Sequence, residues 1–219
     1  MKTKKLGLIH TSATLVPIFQ QLCKSGLPGV ETFNIADDSL IKDVIARNEL
    51  TPGTARRVAG HIASAEAAGA DFILVTCSSI GSAVEAAAPF SAVPVLRVDQ
   101  PMADKAVQTG QSIGVIATLQ TTLKPTVDLI QRRAASAGKK PRLETRLCEG
   151  AFDALMGGNP DRHDALVSEA LKALAAEVDV IVLAQASMAR VVDKLPAAER
   201  RAPILASPPL AIEYLASVL

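Results

Sequence analysis

The chain has 219 residues, with 23 Lys plus Arg against 22 Asp plus Glu and a formal net charge of +1. That balance, with no basic stripe interleaved with aromatics, gives no footprint for nucleic acid, and no run approaches the ~18 apolar residues of a membrane span. Apolar residues make up 49% but aromatics only 3%, so the core must be built from Val, Ile, Leu and Ala, as in α/β proteins with buried parallel strands.

The opening "MKTKKLGLIHTS" starts positively, but His10, Thr11 and Ser12 cut off the apolar stretch a signal peptide needs. Cys23, Cys77 and Cys148 are odd in number and scattered, which argues against a disulfide framework. A cytoplasmic protein is expected. In chain order, "LGLIHT", "DFILVT", "VPVLRV", "SIGVIAT", "DVIVLA" and "APILAS" are short, rich in β-branched residues and bounded by turn residues, so they read as buried strands. Cys23, inside the helical "IFQQLCKSG", reads as a packing residue. "TPGTARRVAGHIASAEAAGA" reads as a helix. Thr51 caps it, Pro52 takes the first position, Val58, Ile62 and Ala65 share a face, and Gly69 ends it. Strands alternating with helices predict parallel sheets with helices on both faces.

The pattern repeats. Pro52 and Pro160 are 108 residues apart (160 − 52), each after a capping residue, Thr51 or Asn159. Asp71 and Asp179, and Cys77 and Gln185, are also 108 apart (179 − 71, 185 − 77). Gly7 and Gly114 differ by 107 (114 − 7), and Pro94 and Pro203 by 109 (203 − 94). Several landmarks in order at a nearly constant offset predict two similar lobes related by a pseudo-twofold axis, residues 1–98 plus 207–219 and residues 99–206.

Ligands of open parallel sheets bind beyond the carboxyl ends of the strands. Two facing lobes would therefore bring Cys77 and Gln185 to opposite sides of one cleft. Cys77 precedes a helix start, where free N–H groups favour an anion and are expected to lower a thiol below its usual ~8.5. Ser78 and Ser79 add hydroxyls beside it. "HTSAT" offers His10, Thr11, Ser12 and Thr14, and its counterpart "ATLQTTLKP" offers Thr118, Thr121, Thr122 and Lys124, donors suited to a small carboxylate. Ala186 and Ser187 follow Gln185 in the second turn. Cys148 sits where it could reach the cleft rim, whereas His61 reads as an exposed or structural helix residue and His163 as a helix-start residue. The three histidines lack metal-ligand spacing, so no metal is expected, and no P-loop or dinucleotide fingerprint is present.

These motifs ("VTCSSIG", "GVIATLQTT" and "VIVLAQASMA") resemble the aspartate/glutamate/hydantoin racemase superfamily over nearly the whole chain. The resemblance implies a two-lobed α/β enzyme, dimeric or larger, needing no pyridoxal phosphate, metal or other cofactor. It also implies two cysteines that remove and return a proton at the carbon beside a carboxylate. Here Gln185 stands where the second cysteine is expected, so Cys77 is the single thiol acid/base candidate. His10, Thr11, Ser12, Ser78, Ser79, Thr118, Thr121, Thr122, Gln185, Ala186 and Ser187 are the binding candidates. Proton transfer at such a carbon is the leading expectation. Decarboxylation of a malonate-like acid, which needs one proton donor, and non-catalytic binding of a small carboxylate are the alternatives.

Overall fold

The computed structural model describes residues 3–196 and 200–219 and divides into two compact units, Met1–Gln100 with Pro208–Leu219, and Pro101–Ser207. Unit 1 runs β1 (Lys5–His10), α1 (Leu15–Gly26), β2 (Glu31–Ala36), α2 (Asp38–Arg47), α3 (Pro52–Ala67), β3 (Phe72–Val75), a 3₁₀ turn (Ser78–Ile80), α4 (Gly81–Ala87) and β4 (Val95–Arg97). The chain continues through α5 (Gln100–Thr109), β5 (Ser112–Ala117), α6 (Gln120–Ser136), β6 (Arg142–Leu147), α7 (Ala151–Met156), α8 (Pro160–Leu174), β7 (Val180–Leu183), a 3₁₀ turn (Ala186–Met188), α9 (Ala189–Lys194) and β8 (Ile204–Ala206). The last helix, α10 (Ser207–Val218), packs back into unit 1.

Each unit holds a four-stranded, wholly parallel sheet, in the order β2-β1-β3-β4 and β6-β5-β7-β8. The register repeats as well: Ile9 pairs with Val75 in one sheet, and Ile116 with Leu183 in the other. The six strands read from hydropathy are the inner strands β1, β3, β5 and β7 and the edges β4 and β8. Two further strands, β2 ("ETFNIA") and β6 ("RLETRL"), had no such signal. They are the opposite edges, partly solvated along most of their length, so their polar residues hide the pattern.

Alternating side chains of one strand serve opposite faces. Ile9, Ile73 and Val75 pack with Leu40, Val44, Val58, Ile62 and Val84 of α2, α3 and α4. Leu6, Leu8, Phe72 and Leu74 pack with Phe19 and Cys23 of α1 and Ala211, Ile212 and Leu215 of α10. In unit 2, Ile116, Ile181 and Leu183 pack with Ala151, Val167, Leu171 and Val191 of α7, α8 and α9. Cys23 is thus the packing residue its sequence context indicated.

The repeated landmarks have local causes. Thr51 accepts from the Thr54 N–H at 3.2 Å and Asn159 from the Arg162 N–H at 3.1 Å, each just before a proline at the helix start. Asp71 accepts from the Lys5 N–H at 2.9 Å, and Asp179 from Gln111 and Ser112 N–H at 2.9 and 2.8 Å, so both aspartates fasten the start of a neighbouring strand. Among the described residues no helix is long and apolar enough to cross a membrane.

The docking of α10 is tight at Gly26, where an added Cβ would lie 2.4 Å from Ile212 Cγ2. Gly26→Ala should therefore lower stability by about 1–3 kcal/mol, the usual penalty for overpacking, read as a lower urea midpoint. An unchanged midpoint would mean that α10 does not seat there.

Candidate functional site

The carboxyl end of β3 in unit 1 gathers the thiol and its donors. The Thr76 N–H donates to the Ile9 carbonyl at 2.9 Å, which carries β3 one residue past its last ladder pair and presents Cys77 beside Thr11. Cys77 is extended (φ −131°, ψ 120°) and the 3₁₀ turn follows at once. The Thr11 hydroxyl, the Ser79 hydroxyl and the backbone N–H groups of Ser79 and Ile80 all donate to its sulfur. The residue is half-buried.

The expected direction of the thiol pKa is corrected. Burial, the largest influence, pushes the Cys77 thiol above its ordinary 9.0, and the four donors only partly offset this. The turn amides are where the sequence placed them, but removal from water outweighs them. Cys77 is held mainly as a thiol at neutral pH, with donors ready to receive the thiolate when it forms. Cys23 and Cys148 are buried, and burial pushes both thiols up to about 11. Cys148 follows β6, its N–H donating to the Ala117 carbonyl at 2.8 Å, with its side chain in the unit 2 core.

His10 is fully buried, its ring 5.6 Å from that of Phe19. Its Nδ1 is 2.8 Å from Thr76 Oγ1 and its Nε2 2.9 Å from Asn34 Oδ1, so both nitrogens already have protein partners. Burial lowers its pKa below 6.5, against the Asn34 hydrogen bond. The Thr76 hydroxyl also donates to the Ile9 carbonyl at 3.1 Å, so it links the buried ring to the strand backbone. Thr11, Ser78 and Ser79 are buried, while Ser12 is half-buried and shares a 2.7 Å hydrogen bond with Thr14. His61 joins Arg57 on Asp37, at 2.8 and 2.6 Å, in a cluster that fixes the start of α2. His163 is buried at the start of α8, with Nδ1 2.9 Å from Asp164.

The equivalent turn of unit 2 has the same backbone and different chemistry. Gln185 is extended (φ −133°, ψ 139°), and its Oε1 accepts from the Thr118 N–H at 2.6 Å and the Thr118 hydroxyl at 2.9 Å. Because a backbone N–H can only donate, the amide oxygen must face Thr118, which leaves the Nε2 hydrogens as the remaining donors. Thr118 is therefore committed to Gln185, just as Thr11 is to Cys77. Thr122 is buried, and Thr121 Oγ1, in the first turn of α6, is buried without a partner. Ala186 and Ser187 are half-buried. Among the described residues no group of His, Cys, Asp or Glu could hold a metal ion.

The sequence reading missed the groups behind the thiol turn. Arg97 and Asp99 are buried and paired, at 2.7 and 2.8 Å. Their signal was available, since "VLRVD" sets charged residues inside an apolar strand pattern.

A family model described as Asp/Glu/Hydantoin racemase matches residues 4–215. The chain belongs to the Asp/Glu/hydantoin racemase family. The resemblance read from its motifs is thus borne out, and membership supports a racemase-type function and an enzyme of the isomerase class. A search of curated proteins finds no significant match. Glutamate racemase from Bacillus anthracis is similar at a TM-score of 0.71 and 16% identity, covering 100% of this chain and 82% of that one. Allantoin racemase from Klebsiella pneumoniae gives 0.72 and 16%, covering 98% and 87%. Aspartate racemase from Picrophilus torridus gives 0.72 and 13%, covering 98% and 94%. At these identities the likeness is one of fold, the two-lobed α/β architecture of the family's racemases.

In this family member the hydroxyl of Thr11 is a donor to the sulfur. Thr11→Val should push the Cys77 thiol higher and slow its alkylation by iodoacetamide at pH 8 by roughly three- to tenfold, since one pKa unit is tenfold in thiolate. The plateau rate at high pH should be unchanged. Equal rates at pH 8 would remove Thr11 from the thiol's environment.

Proposed function

We propose that the protein is a cofactor-independent enzyme that transfers a proton at the carbon beside a carboxylate of a small acid, with Cys77 as its single thiol acid/base. The observation that carries this reading is the set of four donors converging on one half-buried thiol at a strand end. A thiolate that removes a proton develops where two backbone amides and two hydroxyls already point, and such preorganised donors do not have to reorient during the reaction. Acid/base help of this kind contributes about 10²–10⁴-fold in rate.

The equivalent turn of unit 2 carries hydrogen-bond donors and no group that exchanges a proton. An amide does not exchange a proton at neutral pH, so Gln185 offers hydrogen-bond donors to a substrate oxygen. The Thr121 hydroxyl, in the first turn of the 17-residue α6, is buried without a hydrogen-bond partner. His10, with both nitrogens engaged, and Cys148, with its thiol up to about 11, are poorly suited to be a second acid/base.

The structural relatives act, by their names, on glutamate, aspartate and allantoin, which sets the first panel: acidic amino acids and cyclic ureides, then hydroxy acids and malonates. In D₂O the wild type should catalyse deuterium exchange into one of these, and Cys77→Ala should lose it by at least 10²-fold. Failure across the panel would overturn the reading. A thiol held protonated also suits the single protonation that follows loss of CO₂, so the malonate incubations are assayed for CO₂ as well. A protein that only binds its acid would keep its affinity in Cys77→Ala and show turnover in neither form.

The pH dependence has a definite sign. Proton abstraction needs the thiolate, and the Cys77 thiol titrates above 9.0 in the folded protein. The exchange rate should therefore climb up to about tenfold per pH unit from pH 7 to 9 with no plateau. A plateau below pH 8 would assign the base to another group.

A further inference from the structure

Unit 1 buries an ion pair behind the thiol turn that its own duplicate does without. Arg97, at the end of β4, pairs in register with Val75, two residues before Cys77. Its side chain is 1% exposed and that of Asp99 0%. The guanidinium donates from Nε and Nη2 to both Asp99 oxygens, at 2.7 and 2.8 Å, and Nη1 lies 3.1 Å from Glu85 Oε1 on α4. It lies so close to Gly81 that a Cβ there would fall 2.3 Å from Cζ and Nη2. Gly81 closes the 3₁₀ turn whose Ser79 and Ile80 amides donate to the Cys77 sulfur, and its N–H bonds back to the Ser78 carbonyl.

The unit 2 turn is an internal control. Ala189 stands at the position of Gly81 with φ −56° and ψ −39°, against −58° and −36° at Gly81. The glycine is therefore not needed for the backbone; it is needed for space. Ala206, paired with Leu183 as Arg97 is with Val75, takes the arginine's place. His10 and Thr76 likewise correspond in register to Ala117 and Ala184. The turn forms with alanines behind it where it carries an amide, and is backed by buried polar groups where it carries a thiol. Burying a guanidinium is costly and apolar replacements are often neutral, so the turn's formation alone does not account for Arg97.

We infer that Arg97 is a positioning residue for Cys77: clamped by Asp99 and Glu85, its planar guanidinium seats the Gly81 end of the turn and keeps the Ser79 and Ile80 amides aimed at the sulfur. The inference rests on the reading of Cys77 as the acid/base, and its test does not depend on turnover.

The triple variant Gly81→Ala, Arg97→Ala, Asp99→Ala reproduces the alanines of unit 2 and leaves no lone carboxylate at position 99. It should fold by far-ultraviolet circular dichroism, and it should recover the urea midpoint that Gly81→Ala alone loses against the intact guanidinium. Thiolate absorbance at 240 nm is titrated for each protein and corrected with Cys77→Ala in the same background, which subtracts Cys23 and Cys148. The Cys77 titration should move up by about one pH unit, a tenfold loss of thiolate at a given pH. Arg97→Lys, which keeps the charge without the planar fork, should move it the same way by at least threefold and covers the case in which the triple variant does not fold. An unmoved titration in a folded variant overturns the inference, even if the wild type exchanges deuterium. A moved titration upholds the positioning role even if no exchange is found and the functional reading falls. Where exchange is measured, kcat should fall with KM unchanged, and a fall confined to KM counts against the role.

Discussion

Everything chemical in unit 1 depends on one convergence: two hydroxyls and two backbone amides directed at the sulfur of Cys77. The convergence follows from strand register. Ile9 pairs with Val75, so the segments leaving β1 and β3 emerge side by side, Thr11 from one and Cys77 from the other. The 3₁₀ turn then folds its own amides back onto the residue that precedes it. Two effects compete at the sulfur. Burial favours the neutral thiol, the donors favour the thiolate, and burial is the larger. The outcome is an acid at rest whose conjugate base is already solvated by the protein, which suits a group that must both give and take a proton.

The duplication separates what the scaffold requires from what the chemistry requires. Both sheets share strand order and register, and both turns share their backbone angles within a few degrees at their closing residues. In both, a threonine at the end of the neighbouring strand donates its hydroxyl to the residue that opens the turn, sulfur in one and amide oxygen in the other. The differences lie in polarity behind the turn and in the space it leaves, Gly81 against Ala189. Cys77, His10, Thr76 and Arg97 correspond to Gln185, Ala117, Ala184 and Ala206. The residues that hold the fold together stand on both sides, and a thiol turn backed by buried polar groups on one.

Most of the architecture could be read from the sequence because parallel strands buried on both faces are almost wholly apolar, as "FILV" and "VIVL" are. The repeated Asp and Pro landmarks were legible for the same reason that they persist: each has a fixed local task, fastening a strand or starting a helix. The edge strands β2 and β6 were not, since partial solvation lets charged residues interrupt their pattern. Cys77 and its turn were legible from composition, but the balance of burial and hydrogen bonding at its sulfur was not, because it depends on how closely α4 and the β1 segment surround it. Arg97 escaped for a similar reason: a charged residue in a short strand reads as an exposed edge until its buried partner is known.

The central claim, one proton-handling thiol, is tested most directly by following two rates in a single sample. One enantiomer of an accepted chiral acid is incubated with the enzyme in D₂O, and deuterium incorporation and loss of optical purity are measured together. A lone thiol returns the proton mainly to the face from which it took it, so deuterium should enter at least tenfold faster than configuration is lost. Equal initial rates would mean that a second group delivers the proton from the opposite face, which would contradict the account.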